Sequence, residues 1–169
     1  MIQKKVCMVG LFGTGKTSLV QRFVHSMFSE RYLSTVGVKI DRKPIQVDGA
    51  DLTLVLWDLA GRDGHEDITT SYLRGSHAVL YVADGTRRET CDQLPELRAL
   101  VREAAGEVPE VLALNKSDLK ERWALPSGDE QALSQAFDLV RTSAKTGDGV
   151  EDIFLRIGRA MLTTREARS

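Results

Sequence analysis

Residues Gly10 to Thr17 read GLFGTGKT, and they stand between two segments of opposite periodicity. Before them, Val6–Val9 is a short apolar run of the kind a buried strand needs. After them, Lys16–Ser26 puts Leu19, Val20, Phe23 and Val24 on one helical face. A strand that feeds a helix through a glycine-rich loop commits the chain to a wound α/β arrangement. It also builds a cradle. Glycines let successive backbone N–H groups turn toward one point, at the positive end of the following helix, where phosphate oxygens can be held. In such a cradle Lys16 places a compact charge between β- and γ-phosphates, and the Thr17 hydroxyl is a hard oxygen suited to Mg²⁺.

The rest of the chain repeats the alternation. Val38–Val47 and Leu52–Trp57 flank Asp48-Gly49, and Leu52, Leu54 and Leu56 alternate, which predicts an antiparallel hairpin with a tight turn. Pro44 lacks a ladder donor, so its strand belongs at an edge. Ala78–Ala83 and Val111–Leu114 are continuous apolar runs, as in parallel strands covered on both faces. Leu94, Leu97, Val101 and Ala104 keep helical spacing up to Gly106, a helix stop. Val150, Ile153, Phe154, Ile157 and Met161 mark a last helix. The fold expected is a three-layer α/β sandwich, mostly parallel with one antiparallel edge strand, in a single domain over residues 1–169.

Composition narrows the surroundings. A net charge of −1 gives no field that would draw the chain to nucleic acid. Two cysteines, Cys7 and Cys91, fit a reducing, cytoplasmic compartment. Lys4 and Lys5 lead into a strand and not a signal-peptide core, and no apolar run is long enough to span a bilayer. Met161 to Ser169 holds no cysteine and so no prenylation motif; an unlipidated chain and a trimmed tail both fit, and membrane association is not evident.

A second motif selects the base. Leu112-Ala113-Leu114 runs into Asn115-Lys116-Ser117-Asp118, at the mouth of a buried strand where open α/β sheets bind ligands. The Asp118 carboxylate can accept from N1–H and the 2-amino group of guanine. Adenine offers neither donor, so the carboxylate would be buried without a partner, and discrimination is strong. Asn115 can bridge to N7, and the stem of Lys116 can cover the ring face. Asp58-Leu59-Ala60-Gly61 ends the strand Leu52–Trp57, where a carboxylate can reach Mg²⁺ through water and the Gly61 N–H can meet a γ-phosphate. Thr35 lies in the polar stretch Ser29–Thr35 and gains interest from these neighbours.

The order of phosphate loop, Thr35, Asp58–Gly61, Asn115–Asp118 and Thr142-Ser143-Ala144-Lys145 resembles the Ras superfamily over nearly the whole chain. KTSLVQRF at Lys16–Phe23, YLSTVGV at Tyr32–Val38 and SYLRG at Ser71–Gly75 look most like its Rab branch. The resemblance implies a P-loop GTPase fold, with a six-stranded sheet and five helices on its two faces. It implies GTP or GDP with Mg²⁺, held by Gly10, Gly13, Thr14, Gly15, Lys16, Thr17, Ser18, Phe28, Thr35, Asp58, Gly61, Asn115, Lys116, Asp118, Ser143, Ala144 and Lys145. Phe28 would pack edge-on against guanine, the Ala144 N–H would meet O6, and Thr17 and Thr35 would be the protein ligands of the metal. The loops around Thr35 and Gly61–Tyr72 would be two switches ordered by γ-phosphate. Ile40, Trp57 and Tyr72 fall where Rab-like proteins present an apolar patch to partners; effectors, an exchange factor and a GTPase-activating protein are expected by the same resemblance.

Two residues depart from the pattern. Arg62 stands where the family has a Gln that orients the attacking water, and Phe12 stands where a small residue is usual. Arginine has donors and no acceptor, so it cannot template that water. A phenyl ring at position 12 would crowd the place where a partner's arginine enters. Slow hydrolysis is expected, with Arg62 and Gly61 as the catalytic candidates. A GTP-locked pseudo-GTPase scaffold is the alternative, and Asp118 with Asn115 argues against an ATP-using kinase. His65, Glu66, Asp63 and Asp67 fit either a substitute base or a solvated loop. Trp123 gains no assignment.

Overall fold

A computed structural model describes residues 2–29, 37–59 and 68–168. The chain runs β1 (Ile2–Val9), α1 (Lys16–His25), β2 (Val38–Val47), β3 (Ala50–Leu59), α2 (Ile68–Leu73), β4 (Ala78–Asp84), α3 (Arg88–Asp92), α4 (Leu94–Ala105), β5 (Glu110–Asn115), α5 (Ser127–Ala136), β6 (Asp138–Arg141) and α6 (Val150–Arg168). The six strands form one sheet in the order β2-β3-β1-β4-β5-β6. Among the described residues only the β2–β3 pair is antiparallel.

The hairpin turns at Asp48 and Gly49, both with positive φ (50° and 82°). Two consecutive left-handed residues give the turn whose twist matches the flanking strands, which explains the Asp-Gly pair. Pro44 sits in β2, at the sheet edge as expected. Leu52, Leu54 and Leu56 are fully buried along β3, and Thr53 and Val55 between them are buried too. β3 is an interior strand, and its second face carries Trp57 and Leu59 into the opposite core.

Each interior strand divides its side chains between two cores. Val6 and Met8 of β1, and Ala78, Leu80 and Val82 of β4, face α1 and α6. Cys7 and Val9, and Val79, Tyr81 and Ala83, face the opposite way, onto Cys91 of α3 and Leu94, Leu97 and Val101 of α4. Phe23 of α1 stacks on Phe154 of α6, with ring centroids 4.1 Å apart, and so locks the two helices of one face together. Both cysteines are buried free thiols.

The described residues hold six α-helices where the resemblance implied five. The extra count comes from the segment between β4 and β5, which is broken at Gln93 into α3 and α4. Pro95, with no N–H and a ring that crowds the preceding turn, opens the second piece. The helix ends at Gly106, with φ 77°. Among the described residues, no helix is long and apolar enough to cross a membrane.

β1 lies at the centre of the sheet, with β3 on one side and β4 on the other. The connection from β3 to β4 crosses it. That reversal opens a crevice beyond the C-terminal ends of β1, β4 and β5, the usual ligand position in open α/β sheets.

Candidate functional site

The loop after β1 fills that crevice. Gly10 packs against β4 so closely that a Cβ would stand 2.3 Å from the Val82 carbonyl oxygen. Gly15 has φ +101°, and a Cβ there would stand 2.2 Å from Asn115 Nδ2. Both positions therefore require glycine, one for close approach and one for conformation and approach together. Thr14 is buried and donates its hydroxyl to Leu11 O at 3.0 Å, pinning the loop to itself.

Gly15 opens α1 without a side-chain cap, and no acidic residue stands in the first turn. This end of α1 favours negative charge, which suits it to an anion. Lys16 is buried, and its Nζ donates to Gly10 O and Leu11 O, each at 3.1 Å. Burial pushes the Lys16 ammonium down to about 8, against the opposing pull of Asp58. An ammonium held by carbonyl dipoles in a desolvated loop, with Asp58 close enough to favour its charge, is set to receive a phosphate oxygen.

Next along α1, the Thr17 hydroxyl donates to Asp58 Oδ2 at 2.6 Å. Asp58 is buried near the C-terminal end of β3, so the pair joins two elements at the mouth of the crevice. Its hydroxyl and carboxylate oxygens are the hard donors that Mg²⁺ prefers, and the chemistry of the pair fits that ion. Among the described residues no group of three or more His, Cys, Asp or Glu is placed to hold a metal. Phosphate oxygens and water would have to complete the shell. Ser18 follows, half-buried in the first turn.

β5 delivers the second motif beside this loop. Asn115 is buried; its Nδ2 donates to Thr14 O at 2.9 Å, and its Oδ1 accepts from the Thr142 hydroxyl at 3.0 Å. Lys116 has φ +67°, and its Nζ donates to Gly13 O at 2.9 Å. The Ser143 hydroxyl donates to Asp118 Oδ1 at 2.8 Å and fixes the carboxylate. Thr142 to Lys145 is itself held to β5, with Thr142 N–H on Leu114 O and Ser117 N–H on Thr142 O. Ala144 is buried and Lys145 exposed. Phe28 lies beyond the end of α1 and is exposed.

The partner-patch residues also converge. Ile40 pairs with Trp57 across the hairpin, and the Trp57 and Tyr72 ring centroids are 6.1 Å apart. Ile40 is 40% exposed, while the two rings are half-buried. Lys5 Nζ sits 3.8 Å over the Trp57 ring and donates to Arg74 O at 2.8 Å, which holds the indole from behind. Thr35, Gly61 and Arg62 lie outside the described residues, as do Asp63, His65, Glu66 and Asp67.

Further residues border the site. Phe12 is 47% exposed, and its carbonyl accepts from Arg87 Nη1 at 2.9 Å. Trp123 covers Gly85, where a Cβ would stand 2.1 Å from the indole. Asp84, which ends β4, lies 2.8 Å from Lys116 Nζ. Its one sequence signal is a carboxylate placed where an apolar parallel strand ends.

The model of the Ras family matches residues 5–163. A human protein named Ras-related protein Rab-30 is 36% identical over 97% of this chain and 81% of its own length. Ras-related protein Rab-1 of Theileria parva is 33% identical over 93% of this chain and 73% of its own. RABD2a of Arabidopsis thaliana is 33% identical over 93% and 79%. With a phosphate loop and a guanine-type motif tied together beyond the C-terminal ends of β1 and β5, and relatives that align over nearly the whole chain, the chain belongs to the Ras family, as a Rab-like small GTPase and GTP-binding switch.

Proposed function

We propose that residues 1–169 form a single G domain that holds GTP or GDP with Mg²⁺ and hydrolyses GTP slowly. The observation that carries this reading is the tie between its two motifs: Asn115 and Lys116 grip the phosphate loop at Thr14 O and Gly13 O, each at 2.9 Å. A base held by Asp118 and a phosphate chain held by the loop are thereby set at a fixed spacing.

The chain's own groups divide the work. N–H groups from Gly13 to Ser18 receive phosphate oxygens, and the Lys16 ammonium exchanges its two carbonyls for them. Asp118 pairs with guanine N1–H and the 2-amino group, Ala144 N–H meets O6, and the second amide N–H of Asn115 can meet N7. Ser143 keeps the Asp118 carboxylate aligned, Lys145 and Phe28 border the base, and the Lys116 stem lies along its face. Thr17 and Thr35 would ligate Mg²⁺, with Asp58 behind them through water; the ion would supply charge neutralisation between the β- and γ-phosphates. Gly61 N–H would meet the γ-phosphate, and Arg62 occupies the water-orienting position without an acceptor to do it. Arg62 and Phe12 also support a second reading, a GTP-locked scaffold that binds partners without turning over.

Effectors, an exchange factor and a GTPase-activating protein are the partners this reading calls for. The Ile40, Trp57 and Tyr72 patch is the surface offered to them, in the cytoplasm. The test is nucleotide choice. Wild-type protein should retain guanine nucleotide through purification and prefer GTP over ATP by several orders of magnitude. Asp118→Asn should lose GTP affinity by roughly two to three orders and gain xanthosine triphosphate, whose 2-oxo group suits an amide donor. Equal affinity of the wild type for ATP and GTP would overturn the reading. Turnover of added GTP within hours separates the slow switch from the locked scaffold.

A further inference from the structure

Asp84 is a fully buried carboxylate that none of the roles above employs. The parallel register pairs it with Asn115, so it stands beside the residue that precedes Lys116. The Thr86 backbone N–H and hydroxyl both donate to Asp84 Oδ1, at 2.8 and 2.6 Å. Lys116 Nζ stands 2.8 Å from the other oxygen, Oδ2, as an ion pair and not an aligned hydrogen bond. The same ammonium donates to Gly13 O at 2.9 Å. One side chain thus bridges the end of β4 and the phosphate loop.

The support of this bridge is rigid. Asp84 N–H donates to the Thr90 hydroxyl at 2.9 Å, and that hydroxyl reaches Arg87 O at 2.8 Å and Asp84 O at 3.1 Å with its one hydrogen. The Trp123 indole presses on Gly85 directly behind, and Arg141 stacks its guanidinium 4.8 Å from the Trp123 ring. The carboxylate cannot follow the lysine if the lysine moves. Lys116 itself has φ +67°, a backbone conformation a lysine keeps only where its surroundings impose it. A lysine stem has four rotatable carbons and samples many rotamers in solution. Fixing the backbone at one end and the ammonium at the other leaves the stem a single path.

We infer that Asp84 is a positioning residue for nucleotide retention: it anchors the Lys116 ammonium against the phosphate loop, so that the Lys116 stem is held in place to cover the guanine face. The inference rests on the guanine-nucleotide reading above. Burial of a charged pair is worth little as mere stability. What it provides here is geometry, because without Asp84 the ammonium is left with one carbonyl and the stem is released.

The experiment measures release of fluorescently labelled GDP from the full chain. Asp84→Asn keeps the shape and removes the charge, and it should speed release by about tenfold or more. Lys116→Ala should also speed release, and adding Asp84→Asn to it should change the rate by less than about twofold, because the residue through which Asp84 acts is gone. Two results overturn the inference: Asp84→Asn leaving release unchanged, or Asp84→Asn speeding release equally with and without Lys116, which marks a structural residue only. If Asp84→Asn does not fold, Thr86→Val decides by the same comparison. It removes one hydroxyl bond to Asp84, and should give a smaller acceleration that vanishes in the Lys116→Ala background. A wild type that holds no guanine nucleotide overturns both readings, whereas a wild type that holds it and ignores Asp84→Asn overturns this one alone.

Discussion

Asn115 Nδ2 and Thr14 O, 2.9 Å apart, join the end of β5 to the phosphate loop across 101 residues of sequence. The bond sits against Gly15, whose missing Cβ is what lets the amide approach. Gly15→Ala should therefore act twice, by straining a φ of +101° and by driving a methyl into Asn115. Neither effect can be relieved by a flexible side chain, because Asn115 is also held by Thr142. The expected outcome is a nucleotide affinity lower by at least two orders of magnitude, with the purified protein largely nucleotide-free. Equilibrium titration with labelled GDP checks it. Asn115→Ala should reproduce part of the loss without straining the loop, so the difference between the two variants reports the cost of strain.

Lys16 carries the pH dependence. Burial lowers its ammonium from 10.5 to about 8 in the absence of phosphate. The unfolded chain then binds more protons than the folded one between about 8 and 10.5, so this group's penalty on stability is fully present below 8 and is relieved as pH rises through that window. A shift of this size is on the order of 3 kcal/mol. Nucleotide-free Lys16→Met should accordingly be more stable than wild type at pH 7.5, with the gap closing by pH 10; urea unfolding of both proteins at the two pH values checks it. Nucleotide works in the opposite direction. Phosphates restore the charge, so binding at pH 8.5 should take up a proton, visible by calorimetry in buffers of different ionisation enthalpy.

Where signals are local, the fold can be read from the sequence. The hairpin at Asp48-Gly49, the edge position of Pro44, the apolar strands and the stop at Gly106 each depend on backbone chemistry within a few residues. Ser127–Ala136 and Asp138–Arg141 escape that reading. α5 buries no residue of its own, and β6 has four residues with exposed ends, so neither carries a usable period. In the site, phosphate and base motifs are legible because each concentrates its chemistry in one short segment. Asp84 and Trp123 are not legible, since each acts on a partner far along the chain, Lys116 or Gly85. The parallel register of β4 and β5 sets Asp84 beside Asn115, next to Lys116. Arg62, Thr35 and Gly61 are known by motif alone.

Arg62 and Phe12 make the rate prediction. Loss of the water-orienting amide predicts intrinsic hydrolysis at or below the ~10⁻⁴ s⁻¹ scale of an unassisted Ras-type site. Arg62→Gln should then raise it by roughly ten- to a hundredfold, the scale on which misplacing a reacting group is felt. Phe12 is 47% exposed at the rim of the loop, with its carbonyl held by Arg87, so Phe12→Gly should leave the loop seated while removing the ring. If the ring crowds the γ-phosphate, the double variant turns over faster still. An opposite sign has its own meaning. An arginine at position 62 that reaches the γ-phosphate would stabilise transition-state charge in cis, and then Arg62→Gln slows hydrolysis and Arg62→Ala slows it further. Single-turnover GTP hydrolysis by the wild type and these variants decides by direction alone. A faster Gln variant establishes a switch whose water is misplaced, a slower one establishes a built-in arginine finger, and an unchanged rate leaves Arg62 a solvated loop residue with no part in the chemistry.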